Sequence, residues 1–304
     1  MKAGQLAFSC KISTPRSHVL RYDEQETGKH ERAGAMTYRL LALDLDGTLL
    51  DQRMTITPAV RAAAKAASER GVTITIATGR TFRATLPYVE ALGVSGPVIC
   101  YQGGAIFDSQ SGAMSNPVYV PAALAAQGAQ MMLERGLFCL IYADEKIYIA
   151  DDTRPELAYY RSFHPEGLDL VVAPDLPAVA HHAGVLKVQF TAEPAVIDRF
   201  QPDFQAAFQG QLDVLRSHDH YLELIPQNIS KGTALEALAR DLGIPREQVM
   251  AIGDHMNDIE MIRWAGLGLA MGNGAPEAHA AAKAVIPTVA EDGVAWAIQR
   301  YILG

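Results

Sequence analysis

Two aspartates, Asp44 and Asp46, stand at the end of an apolar run, and their spacing is the first sign of chemistry in the chain. The run 40–43 is typical of a strand buried on both faces in a parallel sheet. Residues two apart on an extended chain point to the same side, and Gly47 then allows a sharp turn. Two adjacent carboxylates stay ionised only beside a cation, or one of them takes a proton. The pattern favours a Mg²⁺ site with an acid/base group; the alternative is a solvated turn.

A second motif, Thr78-Gly79-Arg80, follows the run 72–77 and precedes a predicted helix. The run is rich in β-branched residues, which favours a strand. Its end offers a hydroxyl and free backbone N–H groups at a helix start, which suit a phosphate oxygen. The alternative interpretation is that Thr78 only caps the helix.

The C-terminal part repeats this arrangement of polar residues behind a buried strand. The apolar run 249–252 is followed, after Gly253, by Asp254, Asn257 and Asp258. Oxygen-bearing side chains at one strand tip and in the following first turn resemble a site for a hard cation.

A lysine also occupies an unusual position. Lys231 stands in the first turn of a predicted helix that Ser230 caps. A positive charge there is unfavourable against the helix dipole. This local cost indicates that Lys231 faces an anion, and a solvated lysine is the alternative.

Composition argues against several classes of partner. The chain has 304 residues, 49% of them apolar, which suffices for two domains with a large core. With 26 Lys and Arg against 34 Asp and Glu, the net charge is −8, which argues against nucleic acid or an anionic membrane. Cys10, Cys100 and Cys139 cannot form a disulfide framework, so a cytoplasmic location is expected. No apolar stretch approaches the length that crosses a bilayer.

The pattern along the chain divides it into three parts. Residues 1–36 are polar and mixed in charge, without hydrophobic periodicity, which predicts a disordered N-terminal extension. Residues 37–118 and 225–304 alternate strands and helices, as in a doubly wound α/β core. Between them, residues 119–224 predict an inserted α+β unit. The histidines of this insert lack cysteine or acidic partners at ligand spacing, so solvated loop histidines are favoured over a zinc site. They are His181, His182, His218 and His220.

Taken in order, four motifs resemble the haloacid dehalogenase-like superfamily, and within it the Cof-type sugar-phosphate phosphatases. The matching residues are Asp44-Leu45-Asp46-Gly47-Thr48-Leu49, Thr78-Gly79-Arg80, Lys231-Gly232 and Gly253-Asp254-His255-Met256-Asn257-Asp258. The resemblance covers the chain from about residue 38 to its end. It implies a Rossmann-like parallel-sheet core with an α/β cap domain inserted after the third strand. One departure follows that strand, where members commonly carry Asn-Gly and this chain has Gln102-Gly103-Gly104.

The resemblance also implies an activity: Mg²⁺-dependent hydrolysis of small phosphate monoesters, sugar phosphates above all, through an aspartyl-phosphate. Asp44 is expected to be the nucleophile, and Asp46 the general acid and base. Mg²⁺ is expected on Asp44, the backbone carbonyl of Asp46, and Asp254. The implied partner is a small phosphorylated metabolite, and the protein is expected as a monomer or small homo-oligomer.

Other residues are implied to act on the transferred group. Those expected to contact the phosphoryl oxygens are Thr78, Gly79, Lys231 and Asn257. Asp258 is expected to support Lys231 or a metal-bound water.

Other function classes use similar residues. A receiver-type signalling domain also combines an aspartate nucleophile with acidic metal ligands, threonine and lysine. It needs neither the insert nor a second acid two residues later, so Asp46 disfavours it. A phosphotransferase such as a sugar phosphomutase uses the same core, and only product analysis separates it from a hydrolase. A catalytically inactive binding protein is disfavoured, because no catalytic position is substituted.

Overall fold

A computed structural model describes residues 38–304, apart from residues 52, 94, 165, 166 and 183. The predicted disordered extension, residues 1–36, lies outside the described residues. Within the described part of the chain, none of the helices combines the length and the apolar character that crossing a membrane requires.

Strands and helices alternate along most of the described chain. The strands are β1 (Leu40–Asp44), β2 (Thr73–Ala77), β3 (Pro97–Cys100), β4 (Ala105–Asp108), β5 (Met114–Ser115), β6 (Phe138–Ala143), β7 (Lys146–Ile149), β8 (Leu170–Val172), β9 (Val185–Thr191), β10 (Leu212–His218), β11 (Tyr221–Pro226), β12 (Val249–Gly253), β13 (Leu267–Met271) and β14 (Ala284–Ile286). The α-helices are α1 (Pro58–Glu69), α2 (Phe82–Leu92), α3 (Ala122–Glu134), α4 (Pro155–Ser162), α5 (Leu176–His182), α6 (Pro194–Phe208), α7 (Lys231–Asp241), α8 (Ile259–Trp264), α9 (Pro276–Ala281) and α10 (Gly293–Ile298).

The first sheet has the spatial order β14-β13-β12-β1-β2-β3-β4-β5. Its strands run parallel from β14 to β3, and β4 and β5 extend it in antiparallel fashion. Parallel strands require crossover connections, which helices supply here. This sheet and its helices are called the core unit below. The predicted doubly wound α/β fold is confirmed.

The register of the central strands gathers the polar motifs. Asp44 of β1 lies opposite Ala77 of β2, and Leu43 lies opposite Ile252 of β12. These strands therefore end together at one edge of the sheet, and the motifs that follow them meet there. Open α/β sheets bind ligands outside the carboxyl ends of their strands, so this edge is the candidate ligand site.

A second sheet lies between β5 and α7 in the chain, with the order β10-β11-β9-β6-β7-β8. Its pairs are antiparallel except β7 with β8. With helices α3 to α6 it forms the inserted α+β cap expected from the sequence, called the cap unit below (residues 122–226). Strand β11 runs to Pro226, two residues beyond the boundary expected at 224.

The two faces of the cap sheet differ in chemistry. On one face, Val188 and Phe190 of β9 and Leu222 of β11 pack with the helices of the cap unit. Alternation along a strand sends the intervening residues, Lys187 and Glu223 among them, to the opposite face. Both are buried all the same, with exposed fractions of 3% and 1%. Buried charges require polar partners. One partner of Glu223, Gln102, belongs to the core unit.

Candidate active site

Asp44 ends the central strand β1 and is buried. Its Oδ1 accepts a hydrogen bond from Lys231 Nζ at 2.5 Å. Its Oδ2, also buried, has no hydrogen-bond partner among the described residues. Burial and the neighbouring Asp258 carboxylate raise the pKa of Asp44 well above its ordinary value. Among the described residues, the Asp44 side chain is thus held through Oδ1 alone.

Lys231 faces carboxylates, in line with the anion that the sequence indicated, and the structure shows in addition that it is buried. It begins helix α7, where Ser230 accepts from the Thr233 N–H at 3.1 Å and so caps the helix. Its Nζ donates to Asp44 at 2.5 Å and to Asp258 at 2.7 Å. Burial alone would lower the pKa of Lys231, but the Asp258 and Asp44 carboxylates raise it above its ordinary value. The lysine therefore stays charged, and the alternative of a solvated side chain is wrong, since it is only 1% exposed.

The loop after β12 brings two further carboxylates to this point. Asp258 Oδ2 accepts the backbone N–H groups of Asp254 and His255, each at 3.0 Å, which fixes the loop. Asp254 Oδ1 accepts from Thr48 Oγ1 at 3.3 Å. Burial and the Asp258 charge raise the pKa of Asp254 to about 7. Two acidic side chains at the tip of β12 thus face the one at the tip of β1.

Glycine at position 47 is required for this convergence. Gly47 has φ +86°, a conformation that L side chains rarely adopt. A Cβ there would also lie 2.3 Å from Asp254 Oδ2. The turn after β1 can therefore approach Asp254 only because residue 47 has no side chain.

The aspartates fit a hard divalent cation. Oxygens of Asp44, Asp254 and Asp258 lie within 4.8 Å of one another. Burial and their mutual repulsion raise the pKa values of Asp44 and Asp254, and a bound cation would compensate this repulsion. Among the described residues, the cap histidines join no comparable cluster. Asp258 rather than the Asp46 side chain completes the carboxylate cluster. Metal ligation by the backbone carbonyl of Asp46 stays a prediction.

Asp46 has a different partner, which the sequence did not reveal. Arg80 donates to its carboxylate twice, from Nε at 2.9 Å and from Nη2 at 2.6 Å. The Asp46 side chain is 47% exposed, but it lines the cavity between the units rather than the outer surface. Although desolvation acts to raise it, the pKa of Asp46 lies below its ordinary value because of the Arg80 charge and hydrogen bonds. Asp46 is therefore an ionised, oriented carboxylate.

The Thr78-Gly79-Arg80 segment forms another wall of the same site. Thr78 is buried, and its Oγ1 accepts the N–H of Arg80 at 3.2 Å. Thr81, not Thr78, caps helix α2 by accepting the Ala84 N–H at 3.1 Å. The interpretation of Thr78 as a plain helix cap is therefore wrong, because the cap lies three residues later and the helix begins at Phe82.

Asn257 and Gln102 close the site on the side of the cap unit. Asn257 Nδ2 donates to Gln102 Oε1 at 3.1 Å, and Gln102 Nε2 donates to Glu223 Oε2 at 3.0 Å. Glu223 in turn pairs with Lys187 at 2.8 Å. Sequence reasoning noted Gln102 only as a departure from Asn-Gly and gave Glu223 no role. A charge at alternate positions of an apolar strand looks like an ordinary solvent face, so only the packing of the two units reveals it.

A cavity of 750 Å³ lies over these residues, between the two units. Its floor contains every predicted site residue except Asp258, which lies behind Lys231. Its roof consists of polar and aromatic side chains of the cap unit, including Tyr160, Phe163, His218 and Tyr221. A phosphate ester placed on the floor would therefore present the rest of the molecule to the cap unit.

Comparison with known proteins decides which family has this architecture. A model of haloacid dehalogenase-like hydrolases matches residues 41–298. The chain belongs to the haloacid dehalogenase-like hydrolase family. The resemblance inferred from four motifs is thereby confirmed, and the match spans both the core unit and the cap unit.

Individual relatives match this chain over most of their own length. The HMP-PP phosphatase of Serratia proteamaculans is 31% identical, covering 79% of this chain and 86% of its own. The 5-amino-6-(5-phospho-D-ribitylamino)uracil phosphatase of Bacillus subtilis is 31% identical, covering 87% of this chain and 96% of its own. A haloacid dehalogenase-like hydrolase of Bacteroides thetaiotaomicron, known from its crystal structure, has a TM-score of 0.78 at 29% identity, covering 87% and 99% of the two chains. Both named relatives are phosphatases, in agreement with the predicted enzyme class.

Proposed function

We propose that this haloacid dehalogenase-like hydrolase cleaves small phosphate monoesters, sugar phosphates in particular, through a phosphoryl group carried on Asp44. The observation that carries the proposal is the state of Asp44. One oxygen is held by Lys231, and the other is buried without a hydrogen-bond partner among the described residues, on a side chain that lines the cavity. A carboxylate fixed in this way can attack with little loss of conformational freedom.

In the first step, Asp44 attacks the phosphorus atom, and the bond between phosphorus and the ester oxygen breaks. Because Asp46 is ionised in the free protein, it first takes up a proton when the substrate binds, from solvent or from the phosphate monoanion. It then passes this proton to the ester oxygen, which leaves as an alcohol. In the second step, Asp46 takes a proton from water, the water oxygen attacks the phosphorus, and the Asp44–phosphorus bond breaks. Inorganic phosphate is released. The carboxylate bound by Arg80 is already in the ionised state that the second step requires.

The remaining site residues neutralise and hold the phosphoryl group. Lys231 supplies a fixed positive charge, and Asp258 orients it. Donors for the phosphoryl oxygens are the Thr78 hydroxyl, the Gly79 N–H and the Asn257 amide. Mg²⁺, held by Asp44, Asp254 and the Asp46 carbonyl, would lower the repulsion between the attacking carboxylate and the phosphate.

The walls of the cavity and the relatives both support the proposed substrate class. The names of the two relatives describe phosphatases of small phosphorylated molecules, one of which carries a ribityl group. The cap roof offers hydroxyls and aromatic rings, which suit a hydroxylated leaving group better than an apolar one. This deepens the expectation of a small phosphorylated metabolite as partner.

The test is an assay of purified protein with Mg²⁺ on p-nitrophenyl phosphate and a panel of sugar phosphates. The proposal predicts one inorganic phosphate for each ester consumed, and loss of activity in EDTA. Full activity in EDTA would contradict the metal assignment. Phosphate transferred to a second sugar instead of water would replace the hydrolase by a phosphotransferase such as a phosphomutase.

A further inference from the structure

Gln102 joins the cap unit to the floor of the active site. Its carboxamide donates to Glu223 Oε2 at 3.0 Å and accepts from Asn257 Nδ2 at 3.1 Å. It is only 2% exposed. One side chain thus contacts a cap residue with one end and a predicted phosphate ligand with the other.

The position of this carboxamide is closely defined. Gln102 has φ +60°, and its backbone N–H donates to the Thr78 carbonyl at 3.0 Å. A Cβ at Gly79 would lie 2.3 Å from Gln102 Nε2, so the carboxamide occupies the space that a side chain at 79 would fill. Gln102 therefore packs directly against the strand end that carries Thr78.

Glu223 determines which way the two amides point. As the partner of Lys187 in a buried ion pair, Glu223 is a carboxylate and can only accept hydrogen bonds. Gln102 must then turn its NH₂ group towards Glu223 and its oxygen towards Asn257. Asn257 must in turn present its own NH₂ group to that oxygen. The orientation of both amides thus follows from Glu223, the acceptor at the end of this series of hydrogen bonds, and Glu223 is a cap residue.

The consequence falls on the phosphate site. The Asn257 NH₂ group has two hydrogens, and Gln102 accepts one of them. Asn257 is therefore oriented so that an N–H donor, and not its side-chain oxygen, is available to a phosphoryl group. A phosphoryl oxygen carries negative charge, so a donor attracts it, whereas a carbonyl oxygen would repel it.

We propose that Glu223 and Gln102 are positioning residues that couple seating of the cap unit to the donor orientation of Asn257. The inference rests on the proposed function, because it takes Asn257 as a phosphate ligand. When the cap unit is seated, Glu223 aligns both amides; when the cap unit moves away, Asn257 loses its fixed orientation. Phosphate is thereby bound most tightly when the cap unit closes the cavity.

Both members of the ion pair already have partners within the protein, which favours positioning over contact with the leaving group. Lys187 donates to Glu223 at 2.8 Å and to Gln189 at 3.1 Å, and its ammonium lies 4.2 Å from the centre of the Tyr142 ring. Buried hydrogen bonds that link several side chains in this way make the network rigid and well defined. It has little to offer a substrate hydroxyl, but it holds Glu223 in one place.

A double-mutant cycle tests the coupling. Gln102→Ala, Asn257→Ala and the double variant are compared by kcat/KM on p-nitrophenyl phosphate and by calorimetric binding of inorganic phosphate. We expect Gln102→Ala to weaken phosphate binding and kcat/KM by about tenfold, as for a lost hydrogen bond to a charged group. In the Asn257→Ala background, Gln102→Ala should have no further effect, because it acts through Asn257. Additive losses would overturn the inference.

A second set of variants does not depend on Gln102→Ala folding. Lys187→Met combined with Glu223→Gln removes both buried charges. The amides of Gln102 and Asn257 are then no longer held in one orientation. The matched control is Glu145→Gln, which alters another contact between the units, Tyr101 Oη to Glu145 at 2.6 Å. The paired variant should weaken phosphate binding about tenfold, and the control by less than about twofold. Equal losses in both would overturn the inference.

Binding and turnover are measured separately, which keeps the two proposals apart. Wild-type protein that binds phosphate but hydrolyses no ester would contradict the proposed function alone. Wild-type protein that hydrolyses esters, with additive losses in the cycle, would overturn only the coupling. Absence of phosphate binding by active wild-type protein would also overturn the coupling.

Discussion

The guanidinium of Arg80 holds the carboxylate of Asp46 with two hydrogen bonds, Nε to Oδ2 at 2.9 Å and Nη2 to Oδ1 at 2.6 Å. Paired, charge-assisted bonds of this geometry are among the strongest and most directional in proteins. They connect the second and first motifs of the chain, 34 residues apart. The proton equilibrium of the proposed acid/base group is therefore set by a residue of the neighbouring strand end.

Replacing Arg80 by Gln should change the pH dependence of turnover. Arg80 lowers the pKa of Asp46, so its loss raises that pKa. With p-nitrophenyl phosphate, whose leaving group needs no proton, Asp46 acts mainly as a base. The acidic limb of the kcat profile should therefore move to higher pH in Arg80→Gln. Arg83→Gln is the control, since Arg83 pairs with Asp169 instead. An unmoved acidic limb in Arg80→Gln would contradict the assignment of Asp46 as base.

Mg²⁺ should stabilise the protein more as the pH rises. The folded, metal-free protein holds protons at raised pKa values on Asp44 and Asp254, the latter at about 7. Unfolded aspartate titrates near pH ~4, so the folded state binds more protons between about pH 4 and 7, and its stability falls as pH rises through that window. A bound cation requires the deprotonated carboxylates and reverses the loss.

The measurement is the difference in Tm with Mg²⁺ and with EDTA across this window. The difference should grow with pH in the wild type and should be nearly flat in Asp254→Asn. A stabilisation by Mg²⁺ that is independent of pH would contradict the proposed metal site.

Tyr221 should affect the choice of substrate without affecting the chemistry. Its Oη is buried in the cavity roof and has no hydrogen-bond partner among the described residues. If it binds a hydroxyl of the leaving group, Tyr221→Phe loses about 1 kcal/mol, or about fivefold in kcat/KM, on sugar phosphates. The rate on p-nitrophenyl phosphate should not change. Tyr148→Phe is the control, because Tyr148 packs on the helix side of the cap sheet. Equal effects on both kinds of ester would contradict a role in recognition.

Local sequence signals were enough to predict the fold and most of the floor of the site. An apolar run that ends at Asp44, or shortly before Asp254, can be recognised from a few consecutive residues. Parallel strands then bring their carboxyl ends together at one edge of the sheet. Lys231 could be identified because it contradicts the helix dipole at its own position. These signals need no knowledge of distant contacts.

The contacts that orient the site could not be predicted in the same way. Gln102 meets Glu223 across 121 residues of chain, and neither carries a local sign of that pairing. Glu223 alternates with leucines in β11, a pattern that normally marks a solvent-facing strand. Its burial arises only because the cap sheet packs against the core unit. The relation of Arg80 to Asp46 likewise depends on how closely two loops approach, which periodicity does not encode.

The central claim is that the phosphoryl group passes through Asp44. Asp46→Asn retains the nucleophile but lacks the base, a loss typically of about 10²–10⁴-fold in rate, so the intermediate should accumulate. The direct measurement is peptide mass spectrometry after acid quenching of Asp46→Asn mixed with p-nitrophenyl phosphate and Mg²⁺, with Asp44→Asn as control. The account predicts one phosphoryl group on Asp44 in the first variant and none in the second. A phosphoryl group trapped on Asp44→Asn, or an unlabelled Asp44 in protein that is turning over, would contradict it.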